Sequence, residues 1–189
     1  RSFAQRSRCA GPSGLGHVLI GIYAELNCES LVGSLVTASG HKLEADYRHH
    51  LTERLKVPDR LREFFSAGSA SRLPTGTEGA GAEYATFVRE ISLLQAELIR
   101  SLCRSASMPV DDVLAVGLLG PGCWHSAECG QRGYLELCDP AHVAEAVGCN
   151  VVSQFPQRDL AAGGLGGPLH AVPQWLLLSE PTTSRLLLD

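Results

Sequence analysis

Val18-Leu-Ile-Gly-Ile-Tyr23, Leu31-Val-Gly-Ser-Leu-Val-Thr-Ala38 and His41-Lys-Leu-Glu-Ala-Asp-Tyr47 follow one another with short polar breaks between them. The first two runs read as strands buried by their β-branched and aliphatic side chains. The third alternates, with Leu43, Ala45 and Tyr47 on one side, and reads as a half-buried strand. Gly40 sits where a tight hairpin between the second and third strands needs it. Three consecutive strands therefore open the chain.

Downstream the period changes. Leu51 to Phe65 is read as helical, split by Pro58 into two short pieces. Ser66 to Gly81 is rich in Gly, Ser and Thr and reads as a loop. Glu83 to Arg104 is a clear helix, with Phe87, Ile91, Leu94 and Leu98 at helical spacing. Pro109 ends that stretch, and Asp112 to Leu118 is a short apolar strand. Gly133 to Leu137 and Asn150 to Ser153 are further strand candidates. Between them a helix is expected from Asp139 as N-cap and Pro140 at the first helical position to Gly148. Gly163 to Pro168 forms a corner. Leu169 to Leu178 is expected to be helical, with Pro173 limiting its first turn, and Arg185 to Leu188 to begin a last strand. Three adjacent strands, then alternating helix and strand, predict an α/β layer fold with a mixed sheet, the order of an actin-like or ribonuclease H-like lobe.

The bulk composition narrows the function. The 189 residues carry a formal net charge of −4 and are 44% hydrophobic. That suits one domain or one large lobe and gives no broad attraction to nucleic acid or to an anionic membrane. A small molecule or a protein is the expected partner. Val18 to Val36 is interrupted by Glu25, Asn27 and Glu29, so it does not read as a membrane span. Seven cysteines, an odd number with no C-x-x-C pair, argue against a disulfide framework. Cys123, His125, Cys129 and Cys138 match no usual zinc spacing, so reduced thiols in a cytosolic protein and no metal ligands are expected. Residues 1–16 hold three Arg, no acid and several Ser and Gly, and read as a flexible tail before one lobe over residues 17–189.

The most informative stretch is Asp139-Pro-Ala-His-Val-Ala-Glu-Ala-Val-Gly-Cys-Asn-Val-Val-Ser-Gln-Phe-Pro-Gln-Arg-Asp-Leu-Ala-Ala-Gly-Gly-Leu-Gly-Gly-Pro-Leu169. It closely resembles the signature of anhydro-N-acetylmuramic acid kinases, in which an Arg-Asp pair precedes a Gly-Gly-x-Gly-x-Pro-Leu corner. Arg158, Asp159, Ala161, Gly163, Gly164, Gly166, Pro168 and Leu169 stand in the matching places. Upstream, Ala115 to His125 is similar to the family's strand, glycine turn and closing His. There Gly120 and His125 match, while Leu119 replaces a His and Pro121 a Gln. Gly21 to Val32 occupies the place of the first phosphate loop. Gly21 fits and Glu29 replaces an Asp, but Ala24-Glu25-Leu26 replaces a Ser-Gly-Thr stretch and Val32 a second acidic residue.

The resemblance implies the first lobe of an actin-like ATPase fold, ending before the second lobe. It implies a cytoplasmic kinase of cell-wall recycling, using ATP and Mg²⁺ on 1,6-anhydro-N-acetylmuramic acid, with a homodimer left open. It places Asp159 as the base that activates the water opening the 1,6-anhydro bridge, while the oxygen at carbon 6 takes the γ-phosphate. Gly120, His125, Arg158, Gly163, Gly164 and Gly166 would line the sugar, and Gly21, Asn27 and Glu29 the nucleotide and its Mg²⁺. Read from residue chemistry alone, Asp159 could equally be a turn cap or a partner of Arg158, and His125 a histidine bonded to backbone. Glu25 opposes nucleotide binding: a carboxylate facing phosphates in a poorly solvated site costs about several kcal/mol. A non-catalytic sugar-binding or protein-interaction relative is therefore the alternative, and a truncated product without independent function a third.

Overall fold

The computed structural model describes residues 16–25, 28–40, 45–66, 80–126 and 132–178. β1 (His17–Ala24) and β2 (Ser30–Ser39) form an antiparallel pair, with His17 opposite Ala38 and Ala24 opposite Leu31. β3 (Asp46–Lys56) pairs antiparallel along the other edge of β2. It begins later and runs further than the sequence pattern suggests. Leu51 to Lys56, expected to be helical, is strand, and α1 (Asp59–Ser66) starts only after Pro58. The leucines at positions 51 and 55 suit either period; here Leu51, Glu53 and Leu55 are half-buried while Thr52, Arg54 and Lys56 are exposed. An unpaired β2 edge favours the strand, because each backbone group it presents needs a partner. Gly40 adopts φ 83° at the end of β2. Residues 41–44, most of the expected loop from Ser66 to Gly81 and the expected strand from Arg185 lie outside the described residues.

α2 (Ala80–Ser105) covers one face of the sheet. Phe87, Ile91 and Leu98 are buried, as its spacing predicts, with Leu102 a turn further on, while Leu94 is half-buried. A side chain at Gly33 would meet Ile22 and Leu102, each at 2.7 Å, so α2 rides directly on β1 and β2. Burying each such aliphatic side chain contributes about 1.5–3 kcal/mol. A 3₁₀ turn (Val110–Asp112) leads into β4 (Val113–Leu119), which lies parallel to β1. β5 (Gly122–Ser126) and β6 (Gly133–Glu136) make a separate antiparallel pair. α3 (Pro140–Val147) follows, capped by Asp139 and closed by Gly148 at φ 81°. β7 (Val151–Val152) adds to β4 in parallel, and α4 (Phe155–Ala161) and α5 (Ala171–Leu178) complete the described chain. α4, which carries the Arg-Asp pair, was not expected from the sequence.

The sheet order is β3-β2-β1-β4-β7. Three leading antiparallel strands followed by parallel additions give the mixed sheet of an actin-like ATPase lobe. Because β1, β4 and β7 run parallel, the segments that follow them emerge at one end of the sheet, the end at which open α/β sheets bind ligands. The β1–β2 loop, Gly120 and α4 are thereby brought to that end. No helix among the described residues is long and apolar enough to cross a membrane.

Candidate functional site

α4 delivers Asp159 to the glycine corner. Its carboxylate Oδ2 accepts the Gly166 N–H at 2.8 Å, and its main-chain carbonyl accepts the Gly164 N–H at 2.9 Å. A Cβ at Gly164 would lie 2.1 Å from Asp159 Oδ2, so only a glycine admits the carboxylate there. Gly163 and Gly166 adopt φ 94° and 79°. Asp159 Oδ1 takes no hydrogen bond from the described residues. Arg158 is exposed, and a pair between it and Asp159, the alternative role considered for the carboxylate, is not among the ion pairs of the described residues. The carboxylate is held by the corner's amide instead.

His125, at the end of β5, closes the corner from the other side. Its Nε2 lies 2.8 Å from the Leu165 carbonyl. A carbonyl only accepts, so Nε2 carries the proton. A Cβ at Gly166 would come within 3.3 Å of the same nitrogen. The Tyr134 ring on β6 lies 5.9 Å from the imidazole, tilted by 59°. Arg132, just before β6, donates from Nη1 to the carbonyls of Gly163 at 2.7 Å and Gly164 at 3.1 Å. The β5–β6 hairpin thus grips the corner's carbonyls while Asp159 takes its amides.

Gly120 lies below. Its N–H donates to the buried Glu136 carboxylate, and a Cβ there would meet Cys138 Sγ at 2.6 Å. Glu136 also receives the Cys138 S–H and the Gln157 side-chain amide, each at 3.4 Å. Burial, then the Glu136 charge, pushes the Cys138 thiol well above its ordinary range. Glu136 therefore ties the Gly120 turn to α4, two residues from Asp159, and serves as a brace rather than as lining.

The β1–β2 loop is a separate matter. Gly21 lies within β1, opposite Ser34 and Gly117, on an exposed face where a Cβ would meet nothing within 4 Å. It is not part of the loop itself. Asn27 lies outside the described residues. Glu29 is exposed, and its carbonyl accepts the Val57 N–H. Glu25, expected to face the phosphates, instead forms an ion pair with Arg54 on β3 at 3.0 Å. The Glu25 and Cys28 amides are spent on Ser30 and Glu25 carbonyls. Two carboxylates and inward-turned amides do not fit a phosphate cradle. Among the described residues no group of three His, Cys, Asp or Glu is placed to hold a metal ion.

The sequence profile of the anhydro-N-acetylmuramic acid kinase family matches residues 21–189. The chain belongs to that family. It is 32% identical over 168 residues to an anhydro-N-acetylmuramic acid kinase of Bordetella petrii, covering 86% of this chain and 41% of that protein. It is 30% identical over 136 residues to the kinase of that name from Nitrosospira multiformis, covering 71% of this chain and 36% of that one. The chain thus spans between about a quarter and two fifths of the relatives it matches. Of the family-matched positions, Asp159, Gly163, Gly164, Gly166 and His125 converge on one corner, with Gly120 beneath. Arg158 is exposed beside it on α4, and Gly21 and Glu29 belong to the β1–β2 hairpin. Arg132, Glu136 and Gln157 escaped sequence reading. Only the fold brings Arg132 onto the corner and sets Glu136 against Gln157 as the brace beneath it.

Proposed function

We propose that this chain is the sugar-binding, base-bearing lobe of an anhydro-N-acetylmuramic acid kinase acting in the cytoplasm in cell-wall recycling. The observation that carries the reading is Asp159, one carboxylate oxygen fixed by the Gly166 amide and the other without a partner among the described residues, within a corner closed by His125. Fixing Oδ2 sets the direction of Oδ1. A water bonded to Oδ1 can pass its proton to Asp159 as its oxygen bonds to the anomeric carbon, and the bond from that carbon to the bridging oxygen breaks. Holding water and sugar together in this geometry removes much of the entropic part of the barrier. His125, Gly163, Gly164, Gly166 and Arg158 would hold the sugar. ATP with Mg²⁺ would supply the phosphoryl group for the freed oxygen, and no part of that step is assigned to the β1–β2 loop.

The paired Glu25 and inward-turned amides of that loop favour a second reading, a sugar-binding relative without nucleotide chemistry. One set of measurements on the whole protein separates the two. Wild-type protein given ATP, Mg²⁺ and 1,6-anhydro-N-acetylmuramic acid should yield a phosphorylated, ring-opened sugar. Asp159→Asn should slow single turnover by about a hundred- to ten-thousand-fold while the sugar dissociation constant stays nearly unchanged. Sugar binding without any turnover in the wild type would select the second reading. Turnover by the Asn variant near the wild-type rate would remove Asp159 as the base.

A further inference from the structure

We propose that Arg132 is the specificity determinant of this site, a fixed cation that selects a sugar bearing a carboxylate. The inference rests on the reading of the glycine corner as the sugar site. Arg132 is exposed, yet its guanidinium is not loose: Nη1 is shared between the Gly163 and Gly164 carbonyls. Two carbonyl acceptors hold that end of the fork, and among the described residues no carboxylate neutralises its charge. Elsewhere on the surface Arg54, Arg60, Arg62 and Arg104 each meet a Glu or Asp carboxylate. Among the described residues Arg132 meets none, and its Nε and Nη2 have no acceptor.

That remaining edge is the shape that binds a carboxylate through two parallel N–H···O bonds. Its position is equally telling. Gly164 presents its carbonyl to Arg132 and its Cα side to the Asp159 carboxylate. The cation and the candidate base therefore flank one glycine. A site holding Asp159 would repel an anionic ligand without such a cation. A muramic acid sugar carries an ionised carboxylate at neutral pH, and Arg132 offsets the repulsion at the ligand's acidic end. Arg158 is also exposed nearby, but no hydrogen bond among the described residues orders its guanidinium, so binding through it would carry a larger entropic cost.

The test compares two ligands on the whole protein by calorimetry: 1,6-anhydro-N-acetylmuramic acid, and 1,6-anhydro-N-acetylglucosamine, which has the same bridged ring and no acid. Arg132→Gln removes the charge and keeps a polar, shorter side chain. It should weaken the acidic sugar about ten- to a hundredfold, the range for a hydrogen bond to a charged group, and leave the neutral sugar within about twofold. Arg132→Lys should fall between. Equal losses for both sugars would make Arg132 a strut of the loop and overturn the proposal, as would no loss for either, or discrimination lost in Arg158→Gln and not in Arg132→Gln. Should the Gln variant fail to fold, salt titration of the wild type decides: acid binding must weaken with salt while neutral binding holds. A wild type that prefers neither sugar, though it binds both, overturns this proposal alone. A wild type that binds neither overturns the reading of the site and this proposal with it.

Discussion

Gly164→Ala separates the stability of the corner from its chemistry. The added methyl would sit 2.1 Å from Asp159 Oδ2, but what it meets is the end of a short side chain that can rotate. The backbone need not move, so the fold should lose only about 1 kcal/mol, within the range of ordinary substitutions. The carboxylate, however, must leave the Gly166 amide. Single turnover should therefore fall about a hundredfold or more, with a melting temperature only a few degrees lower. Turnover unaffected by the methyl would mean the resting position of Asp159 is not its working one. Burial sets a different pattern among the thiols. Cys28 is fully buried and its thiol is pushed up to about 11, and Cys138 is raised further by burial and by Glu136. Since the thiolate is the nucleophile, both should resist alkylation at pH 8 in the native protein and react after denaturation, as peptide mapping would register. At this scale Asp159 was legible because its motif is contiguous. Its hydrogen-bond partner was not, since nothing in the sequence distinguishes an amide-held carboxylate from one paired with Arg158.

Among the elements, α3 is the one whose ends could be read directly, and it yields a pH prediction. Asp139 accepts the Ala141 N–H at 2.9 Å and the His142 N–H at 3.4 Å, and its Oδ2 lies 2.7 Å from His142 Nδ1. The His142 hydrogen bond, then the capping amides, hold the Asp139 carboxyl below its ordinary value despite some opposing desolvation. A depressed folded value means that the stabilisation is fully present above the unfolded pKa, near 3.9, and is lost as pH falls through the folded value. Asp139→Asn retains a capping oxygen but not the titration. Its stability deficit relative to wild type should be largest above about pH 4 and vanish below the folded pKa, as paired thermal melts from pH 2 to 6 would register. A deficit constant with pH would show that the charge contributes nothing. β3 shows where such local reading stops. Leu51 and Leu55 are four apart, which fits a helix, yet Leu55 pairs with Leu31 and Leu51 with Leu35. The choice belonged to the open edge of β2, a tertiary partner that local spacing does not encode. α4 was hidden for a related reason: a helix of seven residues with Pro156 in its first turn gives too little periodicity to see.

Over the whole molecule the α/β class was readable from three strands in succession followed by alternation, an order many α/β folds share, and the signature around Asp159 supplied the particular lobe. What sequence order could not give was the pairing between distant charges, and that pairing decides how the β1–β2 loop treats a nucleotide. Glu25 and Glu29 put two carboxylates at the end of the hairpin, and the amides of Glu25 and Cys28 already serve backbone carbonyls. The 189-residue chain should therefore bind ATP with Mg²⁺ no more tightly than about millimolar, which corresponds to about 4 kcal/mol. Arg54 partly masks Glu25 and is itself held by it. Exposed ion pairs of this kind contribute at most about 1 kcal/mol to stability, so Glu25→Gly should leave the fold intact. The substitution removes one negative charge and releases one positive charge at the same place. Affinity for ATP should rise about tenfold, worth about 1.4 kcal/mol, and the gain should shrink with added salt. Adding Arg54→Gln to that variant should cancel most of the gain. If Glu25→Gly changes nothing, the spent amides and not the charge block the phosphates. Micromolar ATP affinity in the unmodified chain would contradict both accounts, because in each the carboxylates or the spent amides of the loop's described residues oppose a triphosphate.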